Sequence, residues 1–306
     1  MRIVTDVNSF MEQVDKSIKM YGNFPENNFY HYINSQEDWI RNAVIDFGRN
    51  RIILASYEDD IWKIFPEGVL CSKEEKVRLI SEFCDFFLVK KGCNKVMIEL
   101  QEDNYKELKF QIEKGSDGWD SVKIDSIEDT YYCPVVDLNL WNSKLEGSGM
   151  YELRKIKNNF CKKYSLKVSD AAKLKKEYLL TLLDEWRKNR KAKDEACIEE
   201  YKKFIETGFK GTDYAICILV DGKPHSLIAG WKIPNTENFY MGISLHNYKS
   251  AGIGEVSYIE FLNELKQLGF KKADLGGSDK NLLFFKKKFH PAEIYKTIEF
   301  AVVRKK

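Results

Sequence analysis

The sequence predicts an α/β protein in which each half of the chain forms a mixed, twisted β-sheet flanked by helices. Three observations lead to this prediction. Apolar residues recur at helical spacing in some segments and in short strand-like runs in others. The two kinds of segment alternate over 306 residues, 43% of them hydrophobic, which is enough chain for two domains. The same order of elements also occurs twice, without obvious residue identity between the halves.

The first half is predicted to contain two helical runs, a β-hairpin, a helix, a strand, a helix and two strands. They lie at residues 10–18, 39–44, 51–57 with 61–65, 72–91, 94–100, 104–113, 119–124 and 131–138. Asp59 and Asp60 supply the hairpin turn. Ser72 and Glu75 have the spacing of a capping box, which predicts the start of the long helix, and Gly92 ends it.

The second half is predicted to repeat this order of elements. It contains three helices, a hairpin, and then a strand, a helix, a strand, a helix and a strand. They lie at residues 151–164, 173–190, 197–207, 214–220 with 226–232, 238–244, 254–268, 272–275, 281–288 and 297–303. Asp221-Gly222 is a hairpin signal, and Gly269 breaks the longest of these helices. A short polar Ser/Gly stretch at 142–149 predicts the domain boundary, giving domains 1–145 and 146–306.

The net charge of +2 hides an asymmetry between the halves. Residues 1–150 hold 18 basic and 27 acidic side chains, whereas residues 151–306 hold 31 basic and 20 acidic ones. A basic second half could concentrate an anionic ligand, or the two halves could simply attract each other. No segment is long and apolar enough to predict a membrane span, and the start of the chain lacks the layout of a signal peptide. We therefore expect a cytoplasmic protein.

The seven cysteines are odd in number and irregular in spacing, and no Cys-x-x-Cys pair occurs. Neither a disulfide framework nor a zinc site is predicted, and His225, His246 and His290 are too far apart in sequence to indicate a metal. We expect no metal cofactor.

The most informative stretch is Lys249-Ser-Ala-Gly252-Ile-Gly254, which lies between a predicted strand and a predicted amphipathic helix. Glycines at a helix start let backbone N–H groups approach a phosphate closely, and the helix dipole favours its negative charge. The residues predicted to hold the phosphates of a donor are Lys249, Gly252, Ile253 and Gly254. The alternative is a plain glycine-containing start of a helix.

This loop resembles the pantetheine-pyrophosphate loop of GNAT-fold N-acyltransferases, whose pattern is Arg/Gln-x-x-Gly-x-Gly/Ala. A second stretch, Asp274-Leu-Gly-Gly-Ser278 followed by Leu283-Phe-Phe-Lys-Lys-Lys-Phe289-His-Pro291, resembles the end of the acyltransferase region of phosphatidylglycerol lysyltransferases. Fem-type aminoacyltransferases share the tandem GNAT layout. The order of Arg154, Trp186 and Glu195 along the chain is also similar to that family.

The resemblance implies two tandem GNAT-like domains, with the active site in the second and a degenerate, non-catalytic partner in the first. It implies acyl-CoA or aminoacyl-tRNA as the donor, with tRNA or an anionic lipid headgroup as further partners. Two departures stand out. Membrane-bound members carry many transmembrane helices, and the last predicted helix here lacks the Tyr that acetyl-CoA users place there as general acid; Tyr295 is the nearest.

Transfer of an acyl group to an amine needs alignment, a donor to the oxyanion and a base. The predicted catalytic residues are Glu255, Asp274 and Ser278, with His246 as a further candidate base. The predicted acceptor side consists of Gly276, Gly277, Asp279, Lys286 and Lys288. For each acidic residue a structural role is the alternative, such as favouring the helix dipole or capping a helix.

The lysines at 286–288 and the basic helix at 151–164 could together form a track for tRNA, an anionic lipid headgroup or a CoA phosphate. The alternative is a solvated helix face. The predicted function is transfer of an acyl or aminoacyl group to an amine or hydroxyl. The alternative function is a non-catalytic GNAT-like module that recognises an anionic ligand or partner; a third idea, RNA binding by the basic helices, is weakened by the acidic first half.

Overall fold

The computed structural model describes residues 1–35, 39–115, 119–189 and 198–305. Glu195, which the sequence analysis singled out, lies outside the described residues. The chain divides into two compact units. The first holds Met1–Cys133, Gly277–Asp279 and Tyr295–Lys306, and the second holds Pro134–Gly276 and Lys280–Ile294. The division into GNAT-like domains at 1–145 and 146–306 stays a prediction.

The first unit is built on a sheet in the order β1-β2-β3-β4-β5-β12. Its strands are β1 (Arg2–Val4), β2 (Arg41–Asp46), β3 (Ile52–Glu58), β4 (Ile61–Leu70), β5 (Lys95–Gln101) and β12 (Glu293–Arg304). Its helices are α1 (Met11–Tyr21), α2 (Phe29–Asn34), α3 (Lys73–Cys84) and α4 (Glu102–Lys114), and a π-helical turn, Asp85–Lys90, follows α3. Strands β4 and β5 pair in parallel, and the other neighbours in this order pair antiparallel.

The hairpin of β3 and β4 is confirmed, since Glu58 pairs with Ile61 across a turn in which Asp59 has φ +48°. The helical run predicted at 39–44 is wrong, because this segment enters strand β2. Ala43, Val44 and Ile45 are all fully buried, so both faces of the strand are covered. A strand buried on both faces loses the alternation that distinguishes it from a helix.

Two strands predicted at 119–124 and 131–138 are instead one long strand, β6 (Val122–Asp137). Residues 125–129, which lie between the two predicted strands, are largely exposed on a strand that continues through them. The strand passes from the first unit into the second at Cys133 and Pro134.

The second unit has the sheet order β6-β11-β10-β9-β8-β7. Its further strands are β7 (Leu166–Asp170), β8 (Tyr214–Val220), β9 (Lys223–Lys232), β10 (Asn238–His246) and β11 (Lys272–Asp274). Its helices are α5 (Tyr151–Lys163), α6 (Lys176–Lys188), α7 (Ile198–Glu206), α8 (Ile253–Gln267) and α9 (Lys280–Lys286), and a 3-10 turn, Lys287–Phe289, follows α9. Strand β7 was not predicted. Only β10 and β11 pair in parallel among these described neighbours.

Helix α8 lies in the core of the second unit. The predicted apolar stripe is confirmed, since Val256, Ile259, Leu262 and Leu265 are fully buried. Their burial packs the helix against the sheet. This packing positions the first turn of α8 at the end of β10. None of the helices in the described part of the chain combines the length and apolar character needed to cross a bilayer.

Candidate functional site

The central parallel strands of the second unit separate after the first three of the nine residues of β10. Their pairing runs from Asn238 with Lys272 to Tyr240 with Asp274, where β11 ends. Strand β10 continues to His246, so its last six residues have no partner in β11. The edge of β10 is therefore released from β11 next to the turn that follows Asp274, which is where the sequence placed the site.

A bulge in β10 adds to this divergence. Tyr240 and Ile243 pair with Trp231 and Ala229 of β9, so two residues of β10 lie opposite Gly230 alone. Gly230 is required there because a Cβ at this position would stand 1.9 Å from the carbonyl oxygen of Tyr240. Bulges bend a strand and increase its twist, so β10 changes direction at the position where its pairing with β11 ends.

The loop between β10 and α8 is held by its own polar groups. The Asn247 side chain, which is buried, accepts a hydrogen bond from the Lys249 N–H at 2.9 Å. The Ser250 carbonyl accepts one from Ile253 N–H at 3.1 Å. Gly252 has φ +88°, and a Cβ there would lie 3.0 Å from Ile156. The first glycine of the predicted motif is therefore needed for the backbone turn.

The start of α8 carries no side-chain cap within the described part of the chain. The residue at the cap position is Gly252, which has no side chain to offer. Gly254 is buried in the first turn, where a Cβ would lie 3.4 Å from the His246 ring and 3.4 Å from Phe285. A helix start with unsatisfied N–H groups and the positive end of the dipole favours an anion. This arrangement suits the predicted role of Gly252, Ile253 and Gly254, although the Ile253 N–H is already bonded to Ser250.

Lys249, predicted to contact phosphate, is 69% exposed and pairs with Glu185 of α6 at 3.1 Å. The same carboxylate accepts a hydrogen bond from the Asn247 side chain at 2.6 Å. Glu185 thus fixes the loop from a helix far away in sequence. An anion that contacts Lys249 would compete with this carboxylate.

Glu255, predicted as a base, forms an ion pair with Lys288 at 2.8 Å. Its side chain is 14% exposed, and Lys288 also lies 3.9 Å from Glu152. The ion pair uses one of the two carboxylate oxygens of Glu255. The two predicted residues therefore contact each other.

Asp274 and Lys286 are both buried and both bind the peptide groups of Gly276. The Asp274 carboxylate accepts a hydrogen bond from the Gly276 N–H at 2.8 Å, and the Lys286 ammonium donates one to the Gly276 carbonyl at 3.0 Å. Gly276 has φ +80°, a conformation that favours glycine. Buried charges are rare unless they are paired or hydrogen-bonded, so the turn after β11 is a polar centre inside the second unit.

The lysine run 286–288 points in three directions. Lys286 is buried, Lys287 is exposed and Lys288 is half-buried against Glu255. On the basic helix α5, Lys157 pairs with Glu260 at 2.6 Å, and Arg154 donates hydrogen bonds to the carbonyls of Leu145 and Gly147. The exposed cations of this helix are Lys155, Lys162 and Lys163, of which Lys163 lies over the Tyr164 ring. Only part of the predicted basic track is therefore free to meet an anion.

Gly277, Ser278 and Asp279 belong to the first compact unit, whereas the other predicted site residues belong to the second. Ser278 is buried and its carbonyl accepts a hydrogen bond from the Tyr132 N–H at 3.0 Å. A Cβ at Gly277 would lie 3.4 Å from Tyr131. Gly277 and Asp279 are exposed. Their predicted roles stay predictions.

Two polar pairs near the site escaped the sequence analysis. His225 Nδ1 lies 2.9 Å from Ser250 Oγ, and burial lowers the pKa of His225, which favours its neutral form. Tyr258 of α8 is buried with its hydroxyl bonded to Ser244, and burial raises its pKa to about 12. The partners are 25 and 14 residues apart, so no local spacing signals either pair. Across the ranges that the structure describes, no three His, Cys, Asp or Glu side chains cluster as metal ligands would.

The family model described as "Phosphatidylglycerol lysyltransferase, C-terminal" matches residues 44–298. No curated protein sequence is significantly similar to the chain. The family match, together with the solved structures below, confirms the resemblance predicted from the Asp274–Pro291 stretch.

Among solved structures, a conserved protein of unknown function from Bacteroides thetaiotaomicron has a TM-score of 0.71 at 12% identity, covering 98% of this chain and 99% of its own. L-PGS from Bacillus licheniformis has a TM-score of 0.66 at 14% identity, covering 94% and 91%. FemX has a TM-score of 0.59 at 11% identity, covering 98% and 97%.

A tandem GNAT protein from the clavulanic acid biosynthesis pathway is more distant, with a TM-score of 0.53 at 10% identity and coverage of 99% and 98%. At such identities the similarity concerns the fold. The predicted fold class, mixed sheets flanked by helices with GNAT-like relatives, is confirmed.

Proposed function

Because the chain belongs to the phosphatidylglycerol lysyltransferase C-terminal family, we propose that it transfers an acyl or aminoacyl group from an activated donor to an amine or hydroxyl. The donor site is in the second unit, and the domain of residues 146–306 carries the reaction while residues 1–145 form a degenerate partner. The relatives named above support a transferase of this general kind. Acyl-CoA and aminoacyl-tRNA are the donors considered.

One observation carries the proposal: the uncapped start of α8 lies against the last residue of β10, at the end of the stretch of that strand that has no partner in β11. The end of β10 extends past the last residue of β11, and the helix start offers N–H groups and the positive end of a dipole. The contacts of Gly254 with His246 and Phe285 tie this helix start to β10 and to α9. A donor lying along β10 would have its anionic part at Gly252–Gly254 and its acyl group towards Gly276.

The buried ammonium of Lys286 is suited to electrostatic stabilisation. In the reaction, the acceptor nitrogen or oxygen attacks the acyl carbonyl carbon, negative charge develops on the carbonyl oxygen, and the thiolate of CoA or a ribose oxygen of tRNA leaves. An ammonium that is held in place before the reaction stabilises such charge without reorganising. Lys286 is anchored by Gly276, and Asp274 fixes the same turn. Glu255 takes the proton of the acceptor if Lys288 releases it.

The experiment tests whether the chain binds acyl-CoA or aminoacyl-tRNA as its donor. Acetyl-CoA and a longer acyl-CoA are added to the purified chain, and the melting temperature is followed; a ligand present at 100 times its Kd stabilises by about 2.7 kcal/mol. Aminoacyl-tRNA binding is measured in parallel over a salt series, because contacts to tRNA phosphates weaken steeply with salt. The proposal would be refuted if no acyl-CoA shifted the melting temperature and aminoacyl-tRNA did not bind either.

A non-catalytic binding module is the second candidate function, and the ion pair of Glu255 favours it. Glu255, the predicted base, is engaged by the ammonium of Lys288. Such a module would bind an anion and transfer nothing. Transfer of a labelled acyl group by the purified chain, abolished by Gly254→Trp, would rule the module out. An anionic lipid headgroup is tested as acceptor in the same assay.

A further inference from the structure

A four-residue bulge interrupts strand β4 of the first unit. Ile53 of β3 pairs with Val69 and Ala55 pairs with Ile64, so residues 65–68 lie opposite Leu54 alone. Within the bulge, Glu67 has φ +49°, a left-handed conformation that is uncommon outside glycine. Backbone strain of this kind persists only where the surrounding structure enforces it, and it is concentrated at functional sites.

The carboxylate of Glu67 is enclosed and receives three hydrogen bonds. The residue is 2% exposed. Its Oε1 accepts from the Gln101 N–H at 2.6 Å and from the Asn104 side chain at 2.9 Å, and its Oε2 accepts from Lys76 Nζ at 2.7 Å. These donors come from β5, α4 and α3, which form three sides of a cradle around one carboxylate.

The backbone of Glu67 is fixed as well. Its carbonyl accepts a hydrogen bond from the buried side chain of Asn27 at 3.1 Å. The next residue, Gly68, has no room for a side chain, because a Cβ would lie 2.8 Å from the Phe65 carbonyl oxygen. The bulge therefore presents Glu67 in one position.

This cradle bridges the parting strands of the first unit. The parallel pairing of β4 with β5 ends at Ile64 and Ile98, after which both strands continue. Gln101 lies beyond that point on β5, and Glu67 lies beyond it on β4. The hydrogen bond between them joins the two strands after their own ladder has ended.

The second unit has the same arrangement without the carboxylate. There the parallel pairing of β10 with β11 ends at Tyr240 and Asp274, and a bulge follows on β10. That bulge holds Met241 and Gly242, neither of which carries a charge. In each unit, then, a bulge follows the point where two parallel strands part, and only in the first does it deliver an acidic side chain.

We propose that the first unit contains a carboxylate-binding site, formed by Lys76, Asn104 and the Gln101 N–H, which Glu67 of the same chain occupies. Glu67 acts as a built-in ligand that closes the first unit's counterpart of the donor gap. One consequence is a single donor site per chain; this consequence rests on the proposed function, whereas the occupied carboxylate site does not.

Two of the donors, Lys76 and Asn104, also line a small pocket together with Lys73 and Glu107. Its volume is about 10 Å³, which is room for one water molecule. Removing the carboxylate and methylenes of Glu67 would leave space at the three donors for formate or acetate. A small carboxylate from solution should then bind to the three donors.

The test is chemical rescue of Glu67→Ala in the full chain, followed by thermal unfolding. The variant leaves a largely buried lysine without its partner and should melt about 6 °C below the wild type. Sodium formate and sodium acetate at tens of millimolar should recover part of this loss, and sodium chloride at the same ionic strength should not. Neither carboxylate should shift the wild type beyond the chloride effect.

Glu107→Ala is the matched control, because Glu107 lines the same pocket from an exposed position. Its melting temperature should equal that of the wild type, and formate should not change it. Glu67→Ala that melts like the wild type, or that responds equally to formate and chloride, would overturn the proposal. If Glu67→Ala does not fold, Glu67→Gln is used to test the site.

The amide of this variant fills the cradle, so its melting temperature should lie below that of the wild type and should not respond to formate. A Glu67→Gln variant as stable as the wild type would contradict the site.

Discussion

Lys286 donates a hydrogen bond from its buried ammonium group to the carbonyl oxygen of Gly276 at 3.0 Å. This bond ties α9 to the turn that follows β11. It also holds a positive charge inside the second unit, close to the place where β10 and β11 separate. The hydrogen bond holds the turn in a defined position. It also fixes the ammonium group that is proposed to stabilise the transition state.

Lys286→Met tests this cation. The variant keeps the length of the side chain but leaves the Gly276 carbonyl without the ammonium, which should lower the free energy of unfolding by about 1–3 kcal/mol. If the ammonium stabilises the oxyanion, transfer should fall by at least about 100-fold. Lys287→Met, at the exposed neighbour, is the control and should change neither quantity appreciably. Equal effects of the two substitutions on transfer would contradict a role for Lys286.

The two glycines of the loop before α8 should respond differently to alanine. Gly252→Ala meets a positive φ and the side chain of Ile156, so it should cost about 1–2 kcal/mol of stability. Gly254→Ala meets ordinary contacts at 3.4 Å and lies within a helix, where alanine is favoured by about 0.5–1 kcal/mol. Urea unfolding of both variants checks the difference. A Gly254→Ala variant less stable than Gly252→Ala would contradict the positive φ of Gly252 and the open contacts of Gly254.

Glu185→Gln tests the competition for Lys249. The variant removes the negative charge that pairs with Lys249, but its amide oxygen can still accept the hydrogen bond from Asn247. The affinity for an anionic donor should rise a few-fold at low salt, since an exposed ion pair contributes up to about 1 kcal/mol. The gain should vanish near 0.5 M salt, where such charges are screened. Lys249→Met should weaken binding instead; an affinity that is unchanged in both variants would exclude Lys249 from the donor site.

The sequence was sufficient for the elements whose periodicity is strong. Strand β8 has the predicted bounds, and the stripe of α8 is buried as expected. The segment at 39–44 failed because burial on both faces removes the strand signal. Ser72 does precede α3, but its side chain accepts no capping hydrogen bond; its hydroxyl donates to the Glu75 carboxylate at 3.4 Å, and the Glu75 N–H bonds to the Ser72 carbonyl.

The candidate site was predictable where a local pattern fixes the backbone. The positive φ of Gly252 and Gly276 follows from glycine in turns next to helices. The partners of the charged residues were not predictable. Glu185 reaches Lys249 across 64 positions, and Lys286 differs from Lys287 only by the face of a short helix. Such contacts depend on how the helices pack, which no spacing within one segment encodes.

Glu99 of the first unit should make stability depend on pH. Burial raises the pKa of its carboxyl above the ordinary value, although Thr297 donates a hydrogen bond to it at 2.7 Å. The folded state therefore holds this proton more tightly than the unfolded state does. Its contribution to stability is largest at low pH and declines as the pH rises above the usual Glu range.

Glu99→Gln removes this titration and keeps an oxygen for Thr297. The stability of the wild type relative to this variant should fall as the pH is raised from 4 to 7, measured by urea unfolding at a series of pH values. A relative stability that rises over this interval would mean that the charged form of Glu99 is the favoured one.

Hydrogen exchange at the start of α8 tests the central claim most directly. The amides of residues 251–256 are followed by mass spectrometry in the purified chain alone, with acyl-CoA and with aminoacyl-tRNA. The account predicts that one of these donors slows exchange in this segment, and that Gly254→Trp abolishes the protection. Unchanged exchange at 251–256 under conditions where a donor demonstrably binds, or transfers its acyl group, would place the donor site elsewhere and contradict the account.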